Sequence, residues 1–211
     1  MTAIRLADIR YPVTTLGPGT RLVVWVQGCH LACPGCMSTD TWDPSAVDAE
    51  EVEAVVERCV ERVDERLTGV TISGGEPFEQ PDALRALVAG LRAGLPAELD
   101  VLVYSGFTFE VLQHGYPAVL EQVDGVIVGR YRAEQPTTLA WRGSSNQQLI
   151  ALTGRGHDRY SQADAGPAGL QVQLIDGRVS LIGVPRPGEL ERLERALAEQ
   201  GVHLRGATWR T

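Results

Sequence analysis

Three of the four cysteines lie close together in the sequence, and their spacing suits a metal cluster. Cys29, Cys33 and Cys36 fall within eight residues, whereas Cys59 stands alone. Cysteine is the usual ligand of iron–sulfur clusters, and three thiolates from one short loop can hold three corners of a four-iron cubane. The fourth iron is then open to a ligand derived from a substrate. We therefore predict a 4Fe-4S cluster bound by Cys29, Cys33 and Cys36.

Other uses of this cysteine loop stay open on the residues alone. A structural zinc ion could be bound by the three cysteines and His30, although structural zinc sites usually pair two cysteine knuckles. Cys33 and Cys36 could instead form a redox pair, which would leave Cys29 without a role. Cys59 falls on the apolar face of a predicted helix, and because free cysteines are commonly buried, we expect it in the core.

A second candidate for ligand binding is the segment Ser-Gly-Gly-Glu-Pro at 73–77, which ends a predicted strand. Glycine lets backbone groups approach a ligand closely, and a carboxylate can accept a hydrogen bond from an ammonium group. Taken alone, Gly-Gly-Glu indicates no more than a turn between a strand and a helix. Its place one strand–helix unit after the cysteine loop makes it a candidate cofactor site.

The elements that must position these residues alternate between strands and helices. Residues 1–20 are expected to be irregular or a short strand. Further strands are predicted at 21–27, 69–73, 99–104, 124–129 and 147–152. Helices are predicted from about 43–45 to 66 and at 81–93, with short helical pieces at 108–121. This alternation predicts a parallel sheet or barrel with outer helices, whose ligands lie at the carboxyl ends of the strands.

The last part of the chain is expected to stand apart from this core. Residues 153–169 are rich in glycine, alanine and polar residues and are interpreted as a linker. The segments LQVQLI and RVSLI then flank Asp176-Gly177, which is the pattern of a β-hairpin. An amphipathic helix at 189–200 follows, and its leucines offer a stripe for burial on the main domain. The extension could be structural filler or could shape the face that receives the substrate. We therefore predict a core domain at 1–152 and a linker with a hairpin and helix extension at 153–211.

Composition and charge narrow the classes of function. The chain has 211 residues, of which 44% are apolar and 22% are charged, as is ordinary for a globular protein. Its formal net charge of −8 gives no reason to expect nucleic acid or an anionic membrane as a partner. No stretch approaches the roughly 18 apolar residues that span a bilayer, and the N-terminus lacks the apolar core of a signal peptide. We therefore expect a cytoplasmic protein with reduced thiols.

Five short motifs occur in order between about residue 15 and about residue 150. They are VQGCHLACPGCMSTDTWD (26–43), SGGEP (73–77), YSGFTFE (104–110), DGVIVGRY (124–131) and RGSSNQ (142–147). Their order and spacing resemble those of the radical S-adenosylmethionine superfamily, and within it those of the anaerobic ribonucleotide reductase activating proteins. The resemblance implies an α/β fold, a partial (β/α) barrel of the radical SAM type, here with a C-terminal β-hairpin plus helix extension.

This resemblance also implies an enzyme with two cofactors, a 4Fe-4S cluster and S-adenosyl-L-methionine. Such enzymes reductively cleave adenosylmethionine to a 5′-deoxyadenosyl radical. The expected partner is a glycyl-radical enzyme like anaerobic ribonucleotide reductase, whose backbone glycine would lose a hydrogen atom, and the expected reductant is of the flavodoxin or ferredoxin type. Two alternatives stay open: a radical enzyme that acts on a small molecule or a peptide, and a non-catalytic iron–sulfur or zinc-binding module.

The place of adenosylmethionine is likewise implied by the resemblance. Backbone around Gly35 would lie beside the adenine, and the Gly-Gly-Glu segment would receive the methionyl amino group. The predicted cofactor contacts are Gly35, Cys36, Met37, Ser73, Gly74, Gly75, Glu76, Tyr104 and Ser105. Arg130, Arg142 and Asn146 could bind the cofactor carboxylate or ribose, or could serve as surface or capping residues. No catalytic residue beyond the cluster ligands is predicted.

Overall fold

A seven-stranded mixed sheet is the centre of the fold, and a two-stranded hairpin forms late in the chain. The computed structural model describes residues 2–161, 169–175, 178–186 and 188–203. The strands are β1 (Ala3–Val13), β2 (Arg21–Val26), β3 (Ala49–Glu51), β4 (Gly69–Gly74), β5 (Asp100–Ser105), β6 (Gly125–Val128), β7 (Gln148–Ala151), β8 (Leu170–Ile175) and β9 (Arg178–Gly183). The helices are α1 (Val52–Arg62), α2 (Pro81–Gly94), α3 (Phe109–Gly115), α4 (Pro117–Leu120), α5 (Gly154–Tyr160) and α6 (Glu189–Glu199).

The four central strands β2, β4, β5 and β6 run parallel, so their carboxyl ends meet at one edge of the sheet. The outer strands β1, β3 and β7 pair antiparallel with their neighbours. The order across the sheet is β3-β1-β2-β4-β5-β6-β7, and it does not close on itself. This topology confirms the predicted α/β class with a mostly parallel sheet, and its open form agrees with a partial barrel.

Both faces of the sheet are covered, which explains why the central strands are almost continuously apolar. Successive side chains of a strand point to opposite faces. In β5, Val101 joins the core under the helices with Val55 of α1 and Leu87 of α2. Its neighbour Leu102 packs on the other face with Trp141, which lies in the loop between β6 and β7.

The hairpin β8–β9 is held against the last residues of β1 and the turn that follows them. Gln171 Nε2 donates to the Pro12 carbonyl at 2.8 Å, and Gln171 Oε1 accepts from the Thr14 N–H at 3.0 Å. Ile182 is 4% exposed and packs with Val13, whose partner in the sheet is the first residue of β2. The hairpin therefore packs at the amino-terminal end of β2, away from the cysteine loop. The predicted hairpin is confirmed, although its Asp176-Gly177 turn lies outside the described residues.

The helix predicted from about 43–45 to 66 is wrong in its first part. A short 3₁₀ turn at Pro44–Ala46 is followed by β3, and α1 begins only at Val52. Residues 49–51 pair antiparallel with residues 3–5 of β1. Such a distant strand partner is not visible in the local pattern, and it overrides the helical preference of the segment. The same pairing helps to order the N-terminal segment into an eleven-residue strand, where an irregular or short strand was expected.

Part of the predicted linker at 153–169 is also wrong, because α5 occupies its first half. The Thr153 side chain accepts a hydrogen bond from the Gly156 N–H and caps this helix. Residues 162–168 lie outside the described residues, and the division into a core and an extension stays a prediction. Among the described residues of α6, none is fully buried, so its leucine stripe is only partly covered. No helix of the described ranges is long and apolar enough to cross a membrane.

A buried ion pair explains why α5 belongs to the core. Arg21 of β2 and Asp100 of β5 are both 0% exposed, and Arg21 Nη2 lies 2.7 Å from Asp100 Oδ2. Arg21 Nε also donates to Thr71 Oγ1 at 2.6 Å, which adds β4 to the network. Burial by itself raises the pKa of Asp100, but Arg21, Tyr160 and Arg159 lower it below its usual value. Because the last two residues belong to α5, the helix is anchored to the sheet by a buried charge.

Candidate functional site

The cysteine loop leaves β2 at its carboxyl end and returns to the same place. The Gly28 N–H donates to the Thr41 carbonyl at 2.8 Å, and the Cys29 N–H donates to the Trp42 carbonyl at 3.0 Å. Gln27 is 3% exposed, and its Nε2 donates to the carbonyls of Asp40 and Asp43 at 3.0 and 2.8 Å. The loop is thus closed at its base. Sequence reasoning missed Gln27, whose only signal was an amide at the end of an apolar strand.

The three cysteines differ in exposure and in the groups that face their sulfur atoms. Cys33 is buried, and Cys29 and Cys36 are half-buried. The Cys36 Sγ accepts from the Ser38 N–H at 3.4 Å and from the Trp42 side chain. Burial raises the pKa of the Cys29 and Cys36 thiols, and these donors and the backbone N–H groups facing Cys29 oppose the rise. Donors to sulfur are one of the means by which proteins tune cluster potentials.

The structure shows the surroundings of His30 and Cys59, the two other residues with a possible metal or core role. The His30 Nδ1 lies 2.7 Å from Glu79 Oε2, and the imidazole is largely exposed. Cys59 is 0% exposed within the main core, so its predicted core position is confirmed, and burial raises its pKa to about 11.

The Gly-Gly-Glu segment lies directly against the start of the cysteine loop. The Gly75 N–H donates to the Val26 carbonyl, and the Glu76 N–H donates to the Gly28 carbonyl, both at 2.8 Å. A Cβ added at Gly75 would overlap the carbonyl oxygen of Gly28. Glycine is therefore required here for the close packing of two backbone segments, in addition to any approach of a ligand that the sequence suggested.

Glu76 joins the ends of two neighbouring strands from a buried position. Its Oε1 accepts from the Phe78 N–H at 3.1 Å and from Ser105 Oγ at 2.9 Å, and its Oε2 accepts from the Gly106 N–H at 2.6 Å. The side chain is 1% exposed, and burial raises its pKa to about 7. The structure thus brings together the predicted residues Glu76 and Ser105, with the carboxylate holding the turn after β5 in place.

The raised pKa of Glu76 gives a testable pH dependence in cluster-free protein. The folded state binds a proton more tightly than the unfolded chain, so the free energy of unfolding should fall as the pH rises from about 4.5 to about 7 and then level off. A pKa shift of this size corresponds to a change of about 3 kcal/mol in the free energy of unfolding across that pH range. In urea unfolding at a series of pH values, we expect Glu76→Gln to lack this dependence of the free energy of unfolding on pH. Glu110→Gln, at an exposed position of α3, should keep it. The same dependence on pH in the wild type and both variants would contradict the assignment.

The remaining predicted contacts lie on different sides of this centre. Gly35 is exposed, Cys36 and Met37 are half-buried, and Ser73 is half-buried near the end of β4. Tyr104 points to the other face of the sheet from Ser105, and its hydroxyl donates to the Trp141 carbonyl at 2.8 Å. Burial raises the pKa of Tyr104. A role for these residues in cofactor binding stays a prediction.

The loop between β6 and β7 is stabilised by hydrogen bonds within itself and also contacts the cysteine loop. Asn146 Nδ2 donates to the Arg130 carbonyl at 2.9 Å, and Gln147 Nε2 donates to the Gly129 carbonyl at 3.0 Å. The Arg130 guanidinium donates to the Leu31 carbonyl. Arg142 is 8% exposed, and its Nε donates to the Ala140 carbonyl at 3.3 Å. Of the three candidates that sequence reasoning left open, Asn146 has a structural role and Arg130 contacts the cysteine loop.

Comparisons with known proteins agree on the region that forms this site. The family model of the 4Fe-4S single cluster domain matches residues 15–150. The anaerobic ribonucleoside-triphosphate reductase-activating protein of Enterobacteria phage T4 is 33% identical over 139 residues, which are 65% of this chain and 87% of that protein. The protein of the same name from Vibrio cholerae is 31% identical over 149 residues, which are 68% of this chain and 96% of that protein.

A more distant likeness exists to the crystal structure of QueE from Escherichia coli. It covers 96% of this chain and 92% of that chain, with a TM-score of 0.44 and 13% identity. This likeness is too low to inform the site. The hairpin and α6 follow residue 150 and so lie outside the region that the family model matches.

Proposed function

Since this chain belongs to the 4Fe-4S single cluster domain family and is related to the anaerobic ribonucleoside-triphosphate reductase-activating proteins, we propose that it is a radical S-adenosylmethionine enzyme of the activating type. Cys29, Cys33 and Cys36 would hold the cluster, and adenosylmethionine would bind beside it. When both are bound, one electron from the cluster breaks a carbon–sulfur bond of adenosylmethionine and yields methionine and a 5′-deoxyadenosyl radical.

The residues of the site fit these cofactors. Three thiols stand on one loop whose base is closed by backbone hydrogen bonds, and backbone or indole N–H groups face two of the sulfur atoms. The Gly-Gly-Glu backbone lies beside that loop, with no side chain between them. The Gly75 and Glu76 N–H groups are already bound to the Val26 and Gly28 carbonyls, so the methionyl ammonium would meet carbonyl oxygens of this segment and the Ser73 hydroxyl. The buried Glu76 holds Ser105 and Gly106 in position.

A single observation carries this proposal, namely that the cysteine loop, the Gly-Gly-Glu segment and the Ser-Gly turn meet at one edge of the sheet. Glu76 contacts all of them, because its N–H donates to Gly28 and its carboxylate accepts from Ser105 and Gly106. An electron carrier needs a cluster loop but has no use for a second binding segment fitted against it. The convergence therefore favours an enzyme that binds a small cofactor beside its cluster.

The target that we propose is a backbone glycine of a large partner of the anaerobic ribonucleotide reductase type. The related proteins are activating proteins of that reductase by name, and the matched region contains the whole candidate site. The reductant would be a flavodoxin or a ferredoxin. The exposed Pro34 and Gly35 leave the cysteine loop near the surface, where such a donor can approach the cluster.

The proposal is tested by anaerobic reconstitution with iron and sulfide, followed by a strong reductant and adenosylmethionine. We expect 5′-deoxyadenosine and methionine in equal amounts, because one bond cleavage gives one of each. With the partner reductase added, a glycyl radical should appear in its electron paramagnetic resonance spectrum. A protein that holds a cluster but forms no deoxyadenosine under any reductant would be an electron carrier instead.

A further inference from the structure

The segment between the first two cysteines is contacted by two side chains of opposite charge. The His30 N–H donates to Glu79 Oε1 at 3.0 Å, and the His30 ring lies against the same carboxylate. One residue further on, the Leu31 carbonyl accepts from the Arg130 guanidinium. Glu79 comes from the 3₁₀ turn that follows β4, and Arg130 comes from the loop that follows β6. The cysteine loop is thus held from two sides.

Both side chains extend from backbone that is itself fixed. The Glu79 N–H donates to the Glu76 carbonyl at 3.0 Å, and the turn that carries it contains the fully buried Phe78. The Arg130 carbonyl accepts from Asn146, and the neighbouring Gly129 N–H donates to the Phe107 carbonyl at 2.9 Å. The backbone of both residues is therefore fixed, so that only side-chain freedom is lost when the contacts form.

The Leu31 side chain adds a third contact. A Cβ at Gly106 would overlap Leu31 Cδ1, so this leucine lies directly on the turn after β5. The Gly106 N–H is bound by the buried Glu76 carboxylate, which fixes that turn. His30 and Leu31 together touch the loops after β4, β5 and β6. These contacts are made within the protein chain alone and need no cluster.

We propose that Glu79 and Arg130 are positioning residues that clamp the His30–Leu31 segment, so that the cysteine loop is ordered before the cluster is inserted. Hydrogen bonds to charged groups are stronger than neutral ones, and this pair acts on adjacent residues of one loop. After insertion, the two charges also act on the cluster with opposite sign, since net charge and hydrogen bonding near a cluster set its potential. This second effect rests on the proposed function, whereas the first does not.

The clamp is tested first on cluster-free, full-length protein by hydrogen exchange of the amides at 29–36. Glu79→Ala and Arg130→Ala should each accelerate exchange about tenfold, because each removes a charge-assisted hydrogen bond from the segment. Arg130→Lys should stay close to wild type, since a lysine can still donate to the Leu31 carbonyl. The matched controls are Arg132→Ala, an exposed arginine of the same loop, and Glu110→Ala in α3. The clamp would be overturned if the amides at 29–36 exchanged at the wild-type rate in both clamp variants, or if their exchange were accelerated equally in the control variants.

The second measurement is the midpoint potential of the reconstituted cluster. Removing the positive charge of Arg130 should lower the potential, and removing the negative charge of Glu79 should raise it, with Arg130→Lys near wild type. A merely structural role would not reverse the sign between the two variants, so shifts in the same direction would overturn the electrostatic part. Failure of the wild-type protein to take up a cluster would overturn the proposed function, and the exchange experiment would still decide the clamp.

Discussion

Replacement of Cys29, Cys33 or Cys36 by alanine is expected to reduce the iron bound after anaerobic reconstitution from about four atoms per chain to nearly none. In the proposed site each cysteine supplies one of three protein ligands, and the fourth corner is left for adenosylmethionine. The loss should therefore be close to complete for every one of the three positions. Iron and sulfide analysis, together with the spectrum of the reduced cluster, measures it directly.

Cys59→Ala is the matched control for these variants. Cys59 is buried in the helix-covered core and is not part of the loop, so its replacement should cost about 1 kcal/mol of stability and leave the cluster intact. The wild-type spectrum should also change when adenosylmethionine is added. One zinc ion per chain and no iron, after strictly anaerobic purification, would contradict the cluster and favour the zinc-binding alternative.

The second large effect is expected at Gly75, where a single methyl group should disable the site. A Cβ at this position overlaps the Gly28 carbonyl, so Gly75→Ala must push the end of β4 away from the start of the cysteine loop. Displacements of about 1 Å at a reacting centre can cost on the order of 100-fold in rate. We expect a loss of that order in the reductive cleavage of adenosylmethionine, with weaker binding of the cofactor.

The matched control for this change is Gly115→Ala at the end of α3. A Cβ added there meets no atom within 4 Å, so the same chemical change should leave cleavage at the wild-type rate. Circular dichroism of both variants separates a local displacement from a loss of the fold. A Gly75→Ala protein that binds adenosylmethionine and cleaves it like wild type would contradict the packing assigned to this glycine.

Local sequence patterns were enough to identify the cysteine loop, the main strands and the helix α2. Cysteine spacing is a property of a few consecutive residues, and the alternation of apolar strands with amphipathic helices is visible within short windows. The order of the strands also places their carboxyl ends at one edge of a parallel sheet. The convergence of the cysteine loop with the Gly-Gly-Glu segment could therefore be predicted before any coordinate was known.

The tertiary structure alone decided which side chains hold that site together. Gln27 meets its acceptors thirteen and sixteen residues away, and Glu76 meets Ser105 and Gly106 about thirty residues away. The strand β3 and the helix α5 likewise depend on distant partners, namely the first residues of the chain and the buried Asp100. A hydrogen bond depends on the distance between two atoms in space, and separations of this kind leave no period or spacing in the sequence by which the partner could be recognised.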